Sequence, residues 1–363
     1  MAVKSVLLLL LLLPGSCPAQ ELSRAELGRK ALRLVVTQLK SGDSEVRAQA
    51  ADILGAAGNP SAVGLLKNLL ADKDKHVRIA AARALWQLGS PAGVKTLYAI
   101  INDVPPQGPI PVTNAPLVEL KVISQNKVRE HAVEALAAMK GKKAADVLFT
   151  LKNDNYGTIR DAAARELARA GYDEELAQFT DALTSEDEAL RYQGAATMAK
   201  VCSPAAAAPV KALLQSERSV RVRMAALDAL KCNPSRKEAL EELLKLADDT
   251  NPTIKYKAAS VLSLIKDPKA QAKLSGISAG TPDIRLKIAA QRSLAVNGAP
   301  VDAGVVRSAM SAVSPEVKLE ALEAVNYITE DEAEPLLAAA LEDPSAQVKM
   351  AAALQIIKRF SKK

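Results

Sequence analysis

Ten stretches of the chain open on an apolar residue, follow it with a cation and run on into alanine. The openers are Val46, Val77, Val128, Ile159, Leu190, Val222, Ile254, Leu286, Val317 and Val348, spaced 31, 51, 31, 31, 32, 32, 32, 31 and 31 residues apart. A near-constant period over ten copies constrains the fold more than any other feature. Each unit is too short to bury its own apolar face and has to stack on its neighbours.

The positions after each opener behave as columns. Four residues on stand Ala50, Ala81, Ala132, Ala163, Gly194, Ala226, Ala258, Ala290, Ala321 and Ala352; eight on stand Leu54, Leu85, Leu136, Leu167, Met198, Leu230, Leu262, Leu294, Val325 and Ile356. Positions 0, +4 and +8 share one face of a helix. Small residues midway let a neighbouring helix approach, and large ones at the ends fill the gaps. Three residues before the opener come Asp43, Asp74, Asp187, Ser219, Asn251, Asp283, Ser314 and Ser345, all good N-caps. Pro252 and Pro315 sit at the first helical position, where proline is tolerated, and Gly58, Gly89, Gly171 and Gly298 at +12 end the helix. Shorter apolar-periodic runs at 62–70, 144–151, 238–246 and 332–341 precede the capped helices. The unit is helix A, turn, helix B, and the fold class is all-α, an α-solenoid of about ten helix-turn-helix repeats.

The run V-R-x-x-A-A-x-A-L-x-x-L-G, from Val77 to Gly89, resembles the short HEAT-like repeat of the phycobilisome-lyase type. The resemblance spans essentially the whole chain after residue 19 and implies the solenoid fold. It does not fix a function, since such arrays serve as scaffolds, chaperones and a few enzymes. It implies a structural role for the cation at +1 (Arg47, Arg78, Arg129, Arg160, Arg191, Arg223, Lys255, Lys287, Lys318 and Lys349), paired with turn carboxylates such as Asp72, Asp154, Asp249 and Asp343. Lyases of this type act on tetrapyrroles, which leaves a tetrapyrrole- or hydrophobic-ligand protein as an alternative function.

Catalytic and metal chemistry are not expected. The only histidines are His76 and His131, on B helices of different repeats, and HEAT-like iron hydroxylases need several His-Glu pairs. Zinc wants three or four clustered ligands, and neither CxxC nor HExxH occurs. Gly276-Ile277-Ser278-Ala279-Gly280 matches a nucleophile elbow by letter, but that elbow needs a preceding strand and a later histidine. Ser278 is expected in an A-to-B turn. No cofactor is expected.

Residues 1–19 read as a secretory signal peptide: Lys4, an apolar run from Val6 to Leu13, a Pro14-Gly15-Ser16 break and Ala19 at the cleavage point. Lipidation at Cys17 is the minority reading. Export to a bacterial periplasm or cell surface follows. Asn59, Asn233 and Asn251 each precede proline, so no glycosylation sequon is formed there. Loss of Lys4 takes the net charge from +7 to +6, and Lys358, Arg359, Lys362 and Lys363 leave only +2 for the body. A nucleic-acid partner wants a concentrated basic face, so none is expected, and no later segment is apolar enough to span a membrane. For Cys202 and Cys232, an oxidising compartment permits a disulfide. Stacked helix axes about 8–10 Å apart favour two buried thiols.

Two features break the monotony of the domain at 20–363. Between about 103 and 125 lies a proline-rich insertion, with Pro105, Pro106, Pro109, Pro111 and Pro116 keeping it extended and Val118, Leu120 and Val122 alternating as a short strand would; Pro105, Pro106, Pro109, Ile110 and Pro111 are its candidate partner-binding residues. At +2, nearly opposite the packed face, the last six repeats carry Tyr192, Met224, Tyr256, Ile288, Leu319 and Met350. If B helices line the concave side, these six form an apolar groove. The leading functional expectation is a non-enzymatic, exported scaffold binding a protein or extended peptide there, with the insertion extending the contact. A passive structural spacer is the third reading.

Overall fold

The computed structural model describes residues 23–106 and 115–360. The leader with Cys17, and Pro109, Ile110 and Pro111 of the insertion, lie outside the described residues. Among the described residues, twenty α-helices alternate as A and B members of ten repeats. The first five pairs are α1 (Arg24–Gln38) with α2 (Ser44–Ala57), α3 (Val63–Leu69) with α4 (Lys75–Gln87), α5 (Val94–Ile101) with α6 (Ala115–Lys140), α7 (Ala145–Leu151) with α8 (Gly157–Arg169), and α9 (Ala177–Thr180) with α10 (Glu188–Val201). The last five are α11 (Ala207–Ser216) with α12 (Val220–Cys232), α13 (Leu240–Leu246) with α14 (Pro252–Leu262), α15 (Pro268–Gly280) with α16 (Ile284–Val296), α17 (Ala303–Met310) with α18 (Pro315–Ala324), and α19 (Glu330–Ala340) with α20 (Ala346–Phe360).

The B helices start and stop where their chemistry requires. Asp43, Asp74, Asp187, Ser219, Asn251, Asp283, Ser314 and Ser345 each accept a backbone N–H of the first turn. The +12 glycines take positive φ, as Gly58 does at 73°. Every residue of the +4 column is buried. The expected cation ladder is present in part. Arg47 holds Asp72 at 2.8 Å, Arg129 holds Asp154 at 2.5 Å, Arg223 pairs with Asp249, and Lys318 holds Asp343 at 2.6 Å. Each cation ties its B helix to the A-to-B turn of the next repeat. The hydrogen bond from Arg47 keeps the Asp72 carboxyl below its ordinary range. These four cations serve as structural rungs, each holding a turn carboxylate of the next repeat.

The B helices pack in succession from α2 to α20, and α20 then packs against α1 and α2. The array therefore closes into a ring. One apolar cluster contains Leu27, Ala31 and Val35 of α1 together with Val348, Ala352 and Ile356 of α20. Around it Arg24 pairs with Glu330 and Glu334 at 2.8 Å and with Asp331, and Lys30 with Glu342 at 2.6 Å. These ion pairs are largely exposed and contribute little. Apolar burial closes the seam. Open arrays need polar capping repeats at both ends, and here each end caps the other.

Three sequence expectations are corrected. Residues 115–126 continue α6 rather than forming a strand at Val118, Leu120 and Val122: no glycine or proline interrupts Leu117 to Lys140, so the following B helix extends backwards through them. Ser278 lies inside α15, not in a turn, since Gly276 is tolerated mid-helix. Cys202 and Cys232 form a disulfide with Cα atoms 5.4 Å apart. Cys202 occupies the +12 site used elsewhere by glycine, at φ 53°, and so leaves the helix toward its neighbour. Axis spacing therefore overestimates its distance from Cys232.

Two measurements check this account. Leu27→Asp with Ala31→Asp should open the ring and raise the radius of gyration in small-angle scattering, whereas Arg24→Ala should leave it unchanged. An unchanged radius for both would refute the apolar seam. Arg129→Ala, which strands Asp154 at a buried site, should destabilise by about 3–5 kcal/mol in urea titration, against at most about 1 kcal/mol for the exposed pair partner Arg83→Ala.

Candidate functional site

Contacts that skip a repeat identify the inner side of the ring. The Tyr256 hydroxyl on α14 donates to Glu320 on α18, and Lys200 on α10 comes within 3.9 Å of Glu130 on α6. Only side chains on the concave side of a curved array reach past an intervening unit. The +2 and +6 positions of the B helices thus face the inner wall.

That wall has two chemically distinct parts. Across α6, α8 and α10 it is charged. Arg165 bonds Glu130 at 2.7 Å and Glu134 at 3.4 Å, while Lys127 bonds Glu130 at 2.9 Å. Glu130 is buried, which alone would raise its pKa, but Lys127 and Arg165 outweigh burial and hold it below its ordinary range. Beneath this cluster Glu166 is 2% exposed, with Arg169 at 3.2 Å. Burial, aided by Glu134 and opposed by Arg169, Arg165 and Lys200, pushes its carboxyl up to about 7.

From α10 onward the wall becomes apolar and aromatic. Tyr192 and Tyr256 are half-buried, each under a guanidinium from the next repeat: Arg221 stands 3.8 Å from the Tyr192 ring centre and Arg285 4.1 Å from that of Tyr256. Burial, then the bond to Glu320, pushes the Tyr256 phenol up to about 12. Met224 and Leu319 are half-buried too. The expected stripe is not continuous, however. Ile288 is 0% exposed and Met350 4% exposed, both in the cluster that joins the ring's first and last repeats. Curvature draws these first-turn side chains inward against the adjoining helices. What stays open is a recess of about 490 Å³ lined by Tyr192, Ala196, Ala199, Val220, Met224 and Ala225, with Arg221 and Asp228 as its charged members.

The insertion contributes differently from expectation. Pro105 is buried, its carbonyl accepting from the Tyr156 hydroxyl at 3.1 Å, and Pro106 is exposed. The N-terminal half of α6 then carries Leu117, Leu120 and Ile123, which are 71%, 63% and 64% exposed. Sequence reading missed this row. Their spacing of three and the absence of a breaker were the available signal.

A ring of paired helices defines a helical-repeat protein. The family model described as HEAT repeats matches residues 32–108, 150–231 and 220–295, more than half of the chain. The chain belongs to the HEAT-repeat family. No curated protein matches it by sequence. Among solved structures it is similar to the CpcE–CpcF complex of phycocyanin lyase from a Nostoc species, at 20% identity and TM-score 0.35, over 64% of this chain and 94% of that one. It is also similar to human deoxyhypusine hydroxylase, at 16% identity and TM-score 0.31, over 74% and 96%. The karyopherin Kap121p bound to the extreme C-terminus of the phosphatase Cdc14p matches at 16% identity and TM-score 0.36, over 92% of this chain and 42% of that one.

Glu166 makes stability depend on pH with a definite sign. Its folded pKa of about 7 lies above the ordinary 4.5. Between these values the folded state alone keeps the proton, so this group's contribution falls as pH rises through that window. Glu166→Gln should flatten the decline between pH 5 and 8 and exceed the parent at pH 8 by up to about 3 kcal/mol, measured by urea unfolding at both pH values.

Proposed function

We propose that this HEAT-repeat protein is an exported, non-enzymatic scaffold that holds a protein or extended peptide. The observation that carries the reading is the row Leu117, Leu120 and Ile123, three large aliphatic side chains left in solvent on one helix. Such a row gains on the order of several kcal/mol when a partner's apolar surface covers it, and it suits an amphipathic helix laid alongside. The Tyr192–Met224 recess on the inner wall offers a second apolar contact flanked by Arg221 and Asp228, which can orient a polar backbone. This recess is open, as a peptide site requires, whereas a tetrapyrrole site calls for an enclosing cavity. Export is supported by the leader-like residues 1–19 and by a disulfide, which persists in oxidising compartments.

The test is site-specific photo-cross-linking in the source cells, with the reactive group at Leu120, at Tyr192 and, as an outer control, at exposed Glu174. We expect a discrete cross-linked species from position 120 and none from 174. A Leu117→Ser, Leu120→Ser, Ile123→Ser variant should lose the isolated partner at least tenfold while keeping its melting temperature. Absence of any species from both 120 and 192 in folded protein would sink the reading.

A further inference from the structure

The chain has two histidines, placed 55 residues apart on α4 and α6, and the fold brings them together. The Nδ1 atoms of His76 and His131 stand 3.3 Å apart. Their ring centroids are 5.1 Å apart with the planes inclined at 60°. The nitrogens are thus closer than the ring centres, and the rings splay back from the gap between them. A tetrahedral ion that holds two ring nitrogens at about 2.0–2.1 Å keeps them about 3.3 Å from each other. The pair therefore already has the nitrogen separation of such a complex, before any movement.

We propose that His76 and His131 form a two-point chelate for a borderline divalent transition metal of the zinc, copper and nickel group. Imidazole nitrogens suit these ions, while calcium and magnesium demand oxygen ligands. His76 is exposed and His131 half-buried, so an ion can enter from solvent. Burial, then Lys127 and the other ring, hold the His131 pKa below its ordinary range, against Glu134 and Glu130, which raise it. Burial thus favours the neutral ring, the form in which imidazole binds a metal. The same two carboxylates give the neighbourhood negative charge to set against Lys127. Among the described residues no third histidine, cysteine or carboxylate completes the set. The remaining coordination positions fall to water or to a donor on a bound partner. The bare pair keeps a hydrogen bond between the rings, one Nδ1 donating to the other; when an ion takes both Nδ1 atoms, the donor ring carries its proton on Nε2 instead, with no net proton lost.

The test uses tag-free protein, with zinc or copper ions added alone. One equivalent of Cu²⁺ should give an electron paramagnetic resonance spectrum with coupling to two nitrogens. Zn²⁺ competed against a chromogenic chelator should bind once per chain, with Kd on the order of micromolar, and raise the melting temperature. His76→Ala and His131→Ala should each weaken binding at least tenfold, and the double variant hardly further, since one imidazole cannot chelate. His76→Gln, an exposed substitution that leaves the fold intact, serves as the second variant. Retained affinity in the double variant, two independent twofold losses from the single variants, or no binding of either ion at about 1 mM would each overturn the site. So would a copper spectrum with a single coupled nitrogen. None of these outcomes depends on a protein partner.

Discussion

The close approach of neighbouring B helices through small side chains is the contact on which the rest of the molecule depends. Ala50, Ala81, Ala132 and their counterparts are buried at the middle of each helix face, and larger residues would hold the helices apart. Between α2 and α4 the approach is close enough that a Cβ added at Gly55 would stand 2.6 Å from the Ala84 Cα. A-side segments pack as closely on the B helices: a Cβ added at Gly93 would stand 2.4 Å from the Ala82 Cα, and one at Gly194 3.0 Å from Ala182 and Leu183. The spacing set by these contacts fixes how far each repeat turns relative to the last. Summed over ten repeats, that rotation decides whether the two ends meet.

Ring closure gives the inner wall its character. Aromatic and charged side chains that would face open water in an extended array instead lie near others two repeats away, as Tyr256 does with Glu320. Guanidinium groups cover the tyrosines, and the first half of the wall satisfies its charges internally through Arg165, Glu130 and Glu134. Satisfaction is incomplete at Arg165, whose buried Nε has no hydrogen-bond partner, and at Glu166, whose buried Oε2 makes no hydrogen bond and has only the Arg169 guanidinium at 3.2 Å. Both lie in α8, next to the fifth repeat, where the A helix shrinks to Ala177–Thr180 and leaves Leu190 47% exposed.

Local chemistry made most of the fold legible in the sequence. The period, the caps from Asp43 to Ser345, the stop glycines and the pairing of Arg47 with Asp72 all follow from residues within about one repeat of each other. What escaped depends on distance or on departures from the pattern. The meeting of α1 with α20 results from many small rotations that no single stretch encodes, and the burial of Ile288 and Met350 in the cluster shared by the first and last repeats was equally hidden. The Cys202–Cys232 bond depends on a residue leaving its helix where other copies place glycine. The candidate site divides in the same way. Tyr192 and Met224 were readable from the +2 column, whereas Leu117, Leu120 and Ile123 were hidden by an alternation that suggested a strand.

The seam has a consequence for how such a chain can vary. An open helical array tolerates the gain or loss of a unit at its ends, because each unit contacts only its neighbours. Here an eleventh unit would have to wedge between α20 and α1, and a ninth-unit array would leave Leu27 and Val35 of α1 without the face that covers them. The copy number is thus a quantised property of the molecule. Duplication, the commonest way repeat proteins change length, is closed to it unless every joint re-tunes its angle at once.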